Sequence, residues 1–207
     1  MYKHFFKRLF DIVISLFAMP FVLIVIAVFA PIIYFTDRGN PFYNAERVGK
    51  NGKPFKMYKL RSMYVNAPDI RLSDGSTYNG EDDPRVTPIG RVIRKASIDE
   101  LPQIINVLRG HMSLIGPRPD PLDWLERYPE DIKVFLTVRP GITGYNQAYF
   151  RNSTDGIEKM ENDAYYARNC SFWLDVKIIF KTVFVVLKGE NTYKDTTSEK
   201  IVEDKAL

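Results

Sequence analysis

The chain has 207 residues, 45% of them hydrophobic, enough for one domain of ordinary size with a packed core and an added anchor, and it calls for no second catalytic domain. A formal charge of +4 and a pI near 9.0 favour an anionic partner without choosing between nucleic acid, phospholipid headgroups and nucleotide phosphates. The single cysteine, Cys170, excludes an internal disulfide and a thiolate zinc cluster. With His4 and His111 as the only histidines, zinc or His-triad chemistry is disfavoured, and the reaction has to run on carboxylates, hydroxyls and cations.

From Leu9 to Phe35 the chain is almost wholly apolar, broken only by Asp11, Ser15, Pro20 and Pro31. As a straight helix this run would measure about 40 Å, against roughly 30 Å of bilayer hydrocarbon, and it is too long for the apolar part of a signal peptide. Residues 1–36 therefore read as a retained membrane anchor. Pro20 removes a backbone donor and divides the run, so a hairpin that dips and returns becomes an option beside a kinked spanning helix. Lys3, Lys7 and Arg8 on one flank and Arg38, Arg47, Lys50 and Lys53 on the other pull both ends toward the cytoplasm.

After a turn at residues 37–41, two short apolar-aromatic strands separated by the Gly49–Gly52 turn predict a β-hairpin ending near residue 60. Residues 66–90, with the acidic run Glu81, Asp82 and Asp83, read as a long loop and a candidate lid. A short helix is expected around Val92, Ile93 and Ala96. Leu101, Ile104, Ile105 and Leu108 then fall at helical spacing before Gly110. Residues 116–121 and 139–146 are turn-rich. Helices follow at 157–168 and 172–187, the latter readable as an interfacial amphipathic helix or as a plain core helix. From Asn191 the composition is that of a polar tail, and there is no internal repeat.

The segment Ser97–Gln103, SIDELPQ, sets two adjacent carboxylates before an apolar helix. A capping box from Ser97 to Glu100 is the bland reading, but it would put Pro102 inside the helix. A helix starting near Pro102 leaves Asp99 and Glu100 on its lead-in, close to free backbone amides. Phosphoryl transfer also needs cations. Lys56, Lys59 and Arg61 alternate with apolar residues, Arg94 precedes the carboxylates, and Arg118 is held between Pro117 and Pro119, although Lys56 reads best as surface charge. The RPGITG turn, from Arg139, supplies one more.

Taken together, the proline-broken apolar run, ERVGKNGKPFKMYKLRSM, SIDELPQIINVLRGHMSLIGPRP, VRPGITG and YYARNCSFWLDVK resemble, in order over nearly all of residues 1–190, the monotopic polyprenol-phosphate phosphoglycosyl transferases of the bacterial sugar transferase family, especially its minimal, PglC-like members. The resemblance implies a mixed α/β, mostly helical fold. A re-entrant membrane hairpin helix broken at Pro20 (residues 1–36) would precede a small cytosolic catalytic domain (37–190) with a short β-hairpin and interfacial amphipathic helices, followed by a polar tail (191–207). It implies that Asp99 attacks the β-phosphate of a UDP-sugar, expels UMP and carries the phosphosugar until undecaprenyl phosphate takes it, with Mg²⁺ at Asp99 and Glu100 handling protons or activating the acceptor. Lys59, Arg94 and Arg118 match the family's motif positions for phosphate binding, Arg61 and Arg139 join them as candidate phosphate ligands from the residue reading, and Asp175 comes over with the FWLDVK match. The implied partners are the UDP-sugar, undecaprenyl phosphate and the bilayer, with no nucleic acid. The implied place is the cytosolic face of the bacterial inner membrane, and a homodimer is left open. The anchor departs from the family pattern, because Met19 rather than serine precedes Pro20. Residues 66–90 and 145–158 are where sugar selectivity is expected. Two other readings are a non-catalytic basic membrane-attached module for anionic lipids or partner recruitment, and a phosphatase working through an aspartyl phosphate.

Overall fold

The apolar N-terminal run folds as one helix. In the computed structural model, which describes residues 2–72, 78–80, 82–150, 154, 156–188 and 201–203, a single π-helical turn at Tyr2–Phe6 leads into helix α1, Lys7–Asp37. At about 1.5 Å per residue its 31 residues measure about 46 Å along the helix axis. Helical backbone is continuous through Pro20, where a break was expected. Both Pro20 and Pro31 lie inside the helix, because each deletes only one backbone hydrogen bond and the apolar turns on either side keep theirs. Lys7, Asp11, Ser15, Val22 and Ile33 are buried at intervals of four, seven and eleven residues, which return to one face of a helix. That face lies along the rest of the protein, while Phe17, Phe21, Ile24 and Phe35 stand exposed on the others, Phe17 at 83%. By length and composition, α1 is apolar enough to cross a membrane.

The β-hairpin forms as its turn residues dictate. Strands β1 (Phe42–Val48) and β2 (Pro54–Leu60) pair antiparallel, Phe42 opposite Leu60 and Val48 opposite Pro54. Between them Asn51 and Gly52 adopt positive φ (57° and 73°), the region that asparagine and glycine tolerate best. The described part of residues 66–90, which leaves out 73–77 and 81, is more structured than expected of a loop. Strand β3, Ile70–Leu72, lies within them, Met63 bridges Val86, and Asp83 is fully buried in an ion pair with Arg85 at 2.8 Å. Arg85 also donates to the carbonyls of Pro68 and Tyr78, so Asp83 is tied inward while Asp82 is exposed. Glu81 lies outside the described residues.

Helix α2, Pro88–Lys95, is capped by Thr87, whose hydroxyl accepts from the Gly90 amide at 2.9 Å. A 3₁₀ turn at Ile98–Glu100 precedes helix α3, Gln103–Leu108. Strand β4 (Ser113–Ile115) pairs in parallel with β5 (Gly141–Thr143), and two 3₁₀ segments, Leu122–Arg127 and Lys133–Thr137, lie on the crossover. Helices α4 (Tyr145–Tyr149), α5 (Gly156–Asn169) and α6 (Phe172–Lys188) complete the domain. A short β6, Ile201–Glu203, pairs antiparallel with β3, so part of the expected tail is a strand; residues 191–200 and 204–207 of that tail lie outside the described residues. Of the segment marked for selectivity, residues 151–153 and 155 lie outside them as well.

Three apolar clusters hold these elements. The largest joins Ile115, Trp124, Tyr128, Phe135 and Val138 to Met160, Ala164 and Tyr166 of α5 and Ile178 of α6. A second sets Phe55 and Met57 of β2 against Val107 and Met112, and a third joins Ile33 of α1 to Leu60 and Ile93. Helix α6 combines its two expected characters. Asp175 and Ile178 are buried and Thr182 shares a hydrogen bond with Thr143, while Trp173 and Phe180 are more than 70% exposed on the opposite side.

Candidate active site

Strand periodicity brings Lys59 to the site. Phe55, Met57 and Lys59 share one face of β2, so the apolar contact with α3 gives way at its end to an ammonium. Asn106, fully buried on α3, fixes the approach of the two elements. Its Oδ1 accepts from the Tyr58 amide at 2.9 Å and its Nδ2 donates to the Lys56 carbonyl at 2.7 Å, so the side chain pairs with β2 as a neighbouring strand would.

The carboxylate pair sits where α3 begins. Ser97 has φ 55° and makes no capping bond, which removes the capping-box reading; the helix starts at Gln103, directly after Pro102. Asp99 and Glu100 occupy the 3₁₀ turn on its lead-in. A non-glycine residue at positive φ is a local strain, and here it turns the chain so that both carboxylates meet the same cations. Lys59 Nζ stands 3.0 Å from Glu100 and 3.4 Å from Asp99. The Arg118 guanidinium donates to both Glu100 oxygens, at 2.7 and 3.3 Å.

This arrangement drives the two carboxyl groups apart in acidity. Burial pushes Asp99 up, and the negative Glu100 beside it adds to this against the partial relief from Lys59, Arg94 and Arg118. Burial acts on Glu100 too, but Arg118 and Lys59 outweigh it and hold that carboxylate well below the usual range. Glu100 in return secures the positive charge of Arg118. Adjacent carboxyls with opposed shifts suit different roles in one reaction.

Close backbone packing aims the two arginines. Gly90 lies so near Ser62 that a Cβ would come within 1.9 Å of its carbonyl oxygen, which seats α2 on the end of β2 and brings Arg94 Nε to 2.8 Å from Ser62 Oγ. Gly116 precedes the Pro117–Pro119 turn and packs against the chain before β5, where a Cβ would stand 2.3 Å from the Arg139 carbonyl. The GPRP and RPGITG turns are thereby stacked, and the first presents Arg118 to Glu100.

Asp99, Glu100, Lys59 and Arg118 thus form one cluster, with Arg94 near enough to act on Asp99 through its charge, and three other candidate residues lie elsewhere. Arg61 is forked on Asp37 with two bonds of 2.6 Å, at the end of α1. Asp175 is buried, 2.6 Å from Lys7 and 2.7 Å from the Tyr166 hydroxyl. Arg139 donates Nε to the Gly110 carbonyl. Arg61 and Asp175 therefore clasp the two ends of α1. Sequence reasoning missed Asn106, although a polar residue inside the apolar spacing of α3 was its signal. It also missed the buried group behind Arg118, in which Lys159 lies 2.9 Å from Asp120 and 3.1 Å from Asp163.

Among the described residues, no group of three or more His, Cys, Asp or Glu side chains is placed to hold a metal. An all-protein cage is thus absent among them. Glu100 is committed to Arg118 and Lys59, which leaves Asp99 as the available carboxylate. One carboxylate with substrate phosphates and water is a donor set that suits Mg²⁺.

The family model for bacterial sugar transferases matches residues 2–189. The chain belongs to this family. Three relatives show how this bacterial sugar transferase compares with proteins of named activity. It is 39% identical over 92% of its length to the undecaprenyl-phosphate galactose phosphotransferase of Salmonella typhimurium, of which it covers 42%. It is 40% identical over 89% of its length to the UDP-N-acetylgalactosamine-undecaprenyl-phosphate N-acetylgalactosaminephosphotransferase of Aeromonas hydrophila, of which it covers 44%. It is 39% identical over 91% of its length to the UDP-glucose:undecaprenyl-phosphate glucose-1-phosphate transferase of Klebsiella pneumoniae, of which it covers 41%. The chain thus spans about two fifths of the length of these relatives, and near-equal identity to proteins named for three sugars does not single out one.

Proposed function

We propose that this protein transfers a sugar 1-phosphate from a UDP-sugar to undecaprenyl phosphate and releases UMP, as the first membrane step of a glycoconjugate. The observation that carries this reading is the Asp99–Glu100 pair, ion-paired with Lys59 and Arg118 in a chain whose relatives are named for that transfer.

In the first step a carboxylate oxygen of Asp99 attacks the β-phosphorus. The bond from that phosphorus to the bridging oxygen breaks, UMP leaves with the electron pair, and the phosphosugar remains on Asp99 as an acyl phosphate. In the second step the phosphate oxygen of undecaprenyl phosphate attacks the same phosphorus, and the Asp99 carboxylate departs. Lys59 and Arg118 neutralise charge on the phosphoryl oxygens, and Arg94 favours the ionised form of Asp99. Glu100, held ionised and too weak a base to collect a proton, keeps Lys59 and Arg118 in place for the phosphoryl oxygens. Mg²⁺, held by Asp99 together with the diphosphate, would stabilise the leaving phosphate.

The acceptor cannot leave the bilayer, so the enzyme has to meet it at the interface. The bare apolar faces of α1 and α6 suit that surface. Because both ends of α1 are clasped to the same domain, we read the helix as re-entrant, bent within its continuous length and not interrupted, with both ends on the cytosolic side of the inner membrane where UDP-sugars are made.

Purified protein in lipid discs, given undecaprenyl phosphate, Mg²⁺ and a panel of UDP-sugars, should release UMP with one or a few donors, and an Asp99→Asn control should abolish release. Undiminished UMP from that control would remove Asp99 as nucleophile. Release of inorganic phosphate in place of UMP would convert the reading to a phosphatase.

A further inference from the structure

Away from the carboxylate pair, a cleft at the foot of α1 gathers cations from three separate parts of the chain. It is lined by Lys3, Lys7 and Arg8 from the N-terminal helical turns, Lys50 from the hairpin turn and Arg139 from the approach to β5. None of Lys59, Asp99, Glu100 or Arg118 lines it.

Among the described residues only Lys7 has a carboxylate partner, Asp175. Arg8 gives two N–H groups to the carbonyls of Val107 and Leu108, and Arg139 gives its Nε to the carbonyl of Gly110, so both guanidinium groups converge on the end of α3. Lys3 reaches the Ala167 carbonyl and, at 3.5 Å, the Thr137 hydroxyl. Neutral acceptors satisfy these hydrogen bonds and leave the charges in place. Asp11, the one acid in the lining, turns its Oδ1 to the Ser113 hydroxyl and the Leu114 amide. Like charges drawn into one cleft repel unless an anion joins them.

The position of the cleft indicates which anion. Lys3, Lys7 and Arg8 interleave in sequence with Phe5, Phe6, Leu9 and Phe10, all exposed, so the cations border the bare apolar surface of α1. On a helix lying in the interface, such a border falls at the depth of lipid phosphates. We propose that this cleft binds the phosphate of an anionic phospholipid headgroup, at a site separate from the transfer centre. The inference rests on the membrane placement of α1 and not on the transfer chemistry, and its readout needs no turnover.

The test is native mass spectrometry of the full chain released from detergent after incubation with phosphatidylglycerol or phosphatidylcholine. Three proteins are compared: the wild type, Lys3→Gln with Lys50→Gln inside the cleft, and Lys53→Gln with Lys56→Gln on the same hairpin outside it. The wild type and the Lys53/Lys56 variant should retain one phosphatidylglycerol in preference to phosphatidylcholine, and the Lys3/Lys50 variant should lose about tenfold in occupancy. Lys50→Gln alone should give a smaller loss in the same direction. Equal retention of the two lipids, equal loss in both lysine pairs, or displacement of the lipid by equimolar inorganic phosphate would each overturn the proposal.

Discussion

Arg118 holds Glu100 through both arms of its guanidinium, at 2.7 and 3.3 Å, and leaves Asp99 to the weaker company of Lys59 at 3.4 Å. Rigid placement of the fork, between Pro117 and Pro119, is what an arginine aimed at a transferring phosphoryl group requires. Arg118→Ala should lower kcat for UMP release by about 10²- to 10³-fold, in the range seen when one charge-stabilising donor is lost. Arg118→Lys should recover only part of this, because an ammonium cannot span both Glu100 oxygens. Full activity of the lysine protein would show that charge alone matters at this position.

The opposed shifts of the pair set the acid side of the pH–rate profile. Asp99 attacks as the carboxylate, and burial raises its pKa, with the Glu100 charge adding to the rise. Activity is therefore expected to fall, as pH is lowered, at a higher pH than for an ordinary aspartate. Glu100→Gln removes the neighbouring negative charge and should move this limb to lower pH, whatever it does to the height of the plateau. The check is kcat/KM for UMP release as a function of pH in both proteins. A limb that stays in place would mean that Glu100 does not act on Asp99 through charge.

Behind Arg118, Asp163 is 1% exposed, and its Oδ1 has no hydrogen-bond partner among the described residues. Burial raises its pKa to about 6, opposed by Lys159 and reinforced by Asp120. Between the unfolded value and about 6, the native protein binds a proton that the unfolded chain has given up. The stability this contributes is present in full below the unfolded pKa and is lost as pH rises through about 6, on the order of 3 kcal/mol. Asp163→Asn stays neutral throughout. Thermal midpoints of the wild type should therefore fall relative to Asp163→Asn between about pH 4 and pH 7, and parallel midpoints would contradict the shift.

Local chemistry made the hairpin and the carboxylate pair legible in the sequence. The turn residues Asn51 and Gly52 announce a chain reversal, and Pro102 fixes where α3 begins, which places Asp99 and Glu100 just outside it. What sequence concealed lies in distant partners. Arg61 reads as a phosphate ligand beside Lys59 until Asp37, 24 positions away, is seen to occupy it, and Asp175 finds Lys7 across 168 positions. The β4–β5 pair has three residues in each strand and a long crossover, too little pattern to show. Pro20 is a separate case: one lost hydrogen bond leaves the helix continuous where the run is apolar on both sides, so the proline does not mark an end.

The same clasps make the course of α1 testable. Asp37 and Lys7, at opposite ends of the helix, are both tied to the domain that carries Asp99. A helix crossing the bilayer would separate its ends by roughly 30 Å of hydrocarbon, and a domain on one face could not hold both. In a Cys170→Ser background, single cysteines at Lys3 and at Tyr43, just beyond the two ends, should both resist a membrane-impermeant maleimide in intact cells and both react once the membrane is opened. Labelling of one position alone in intact cells would establish a spanning helix. Removal of a clasp carries its own signature. Asp175→Asn leaves Lys7 buried without a counter-charge, and such a loss costs about 3 to 5 kcal/mol, so it should lower the thermal midpoint in a way that Asp99→Asn does not.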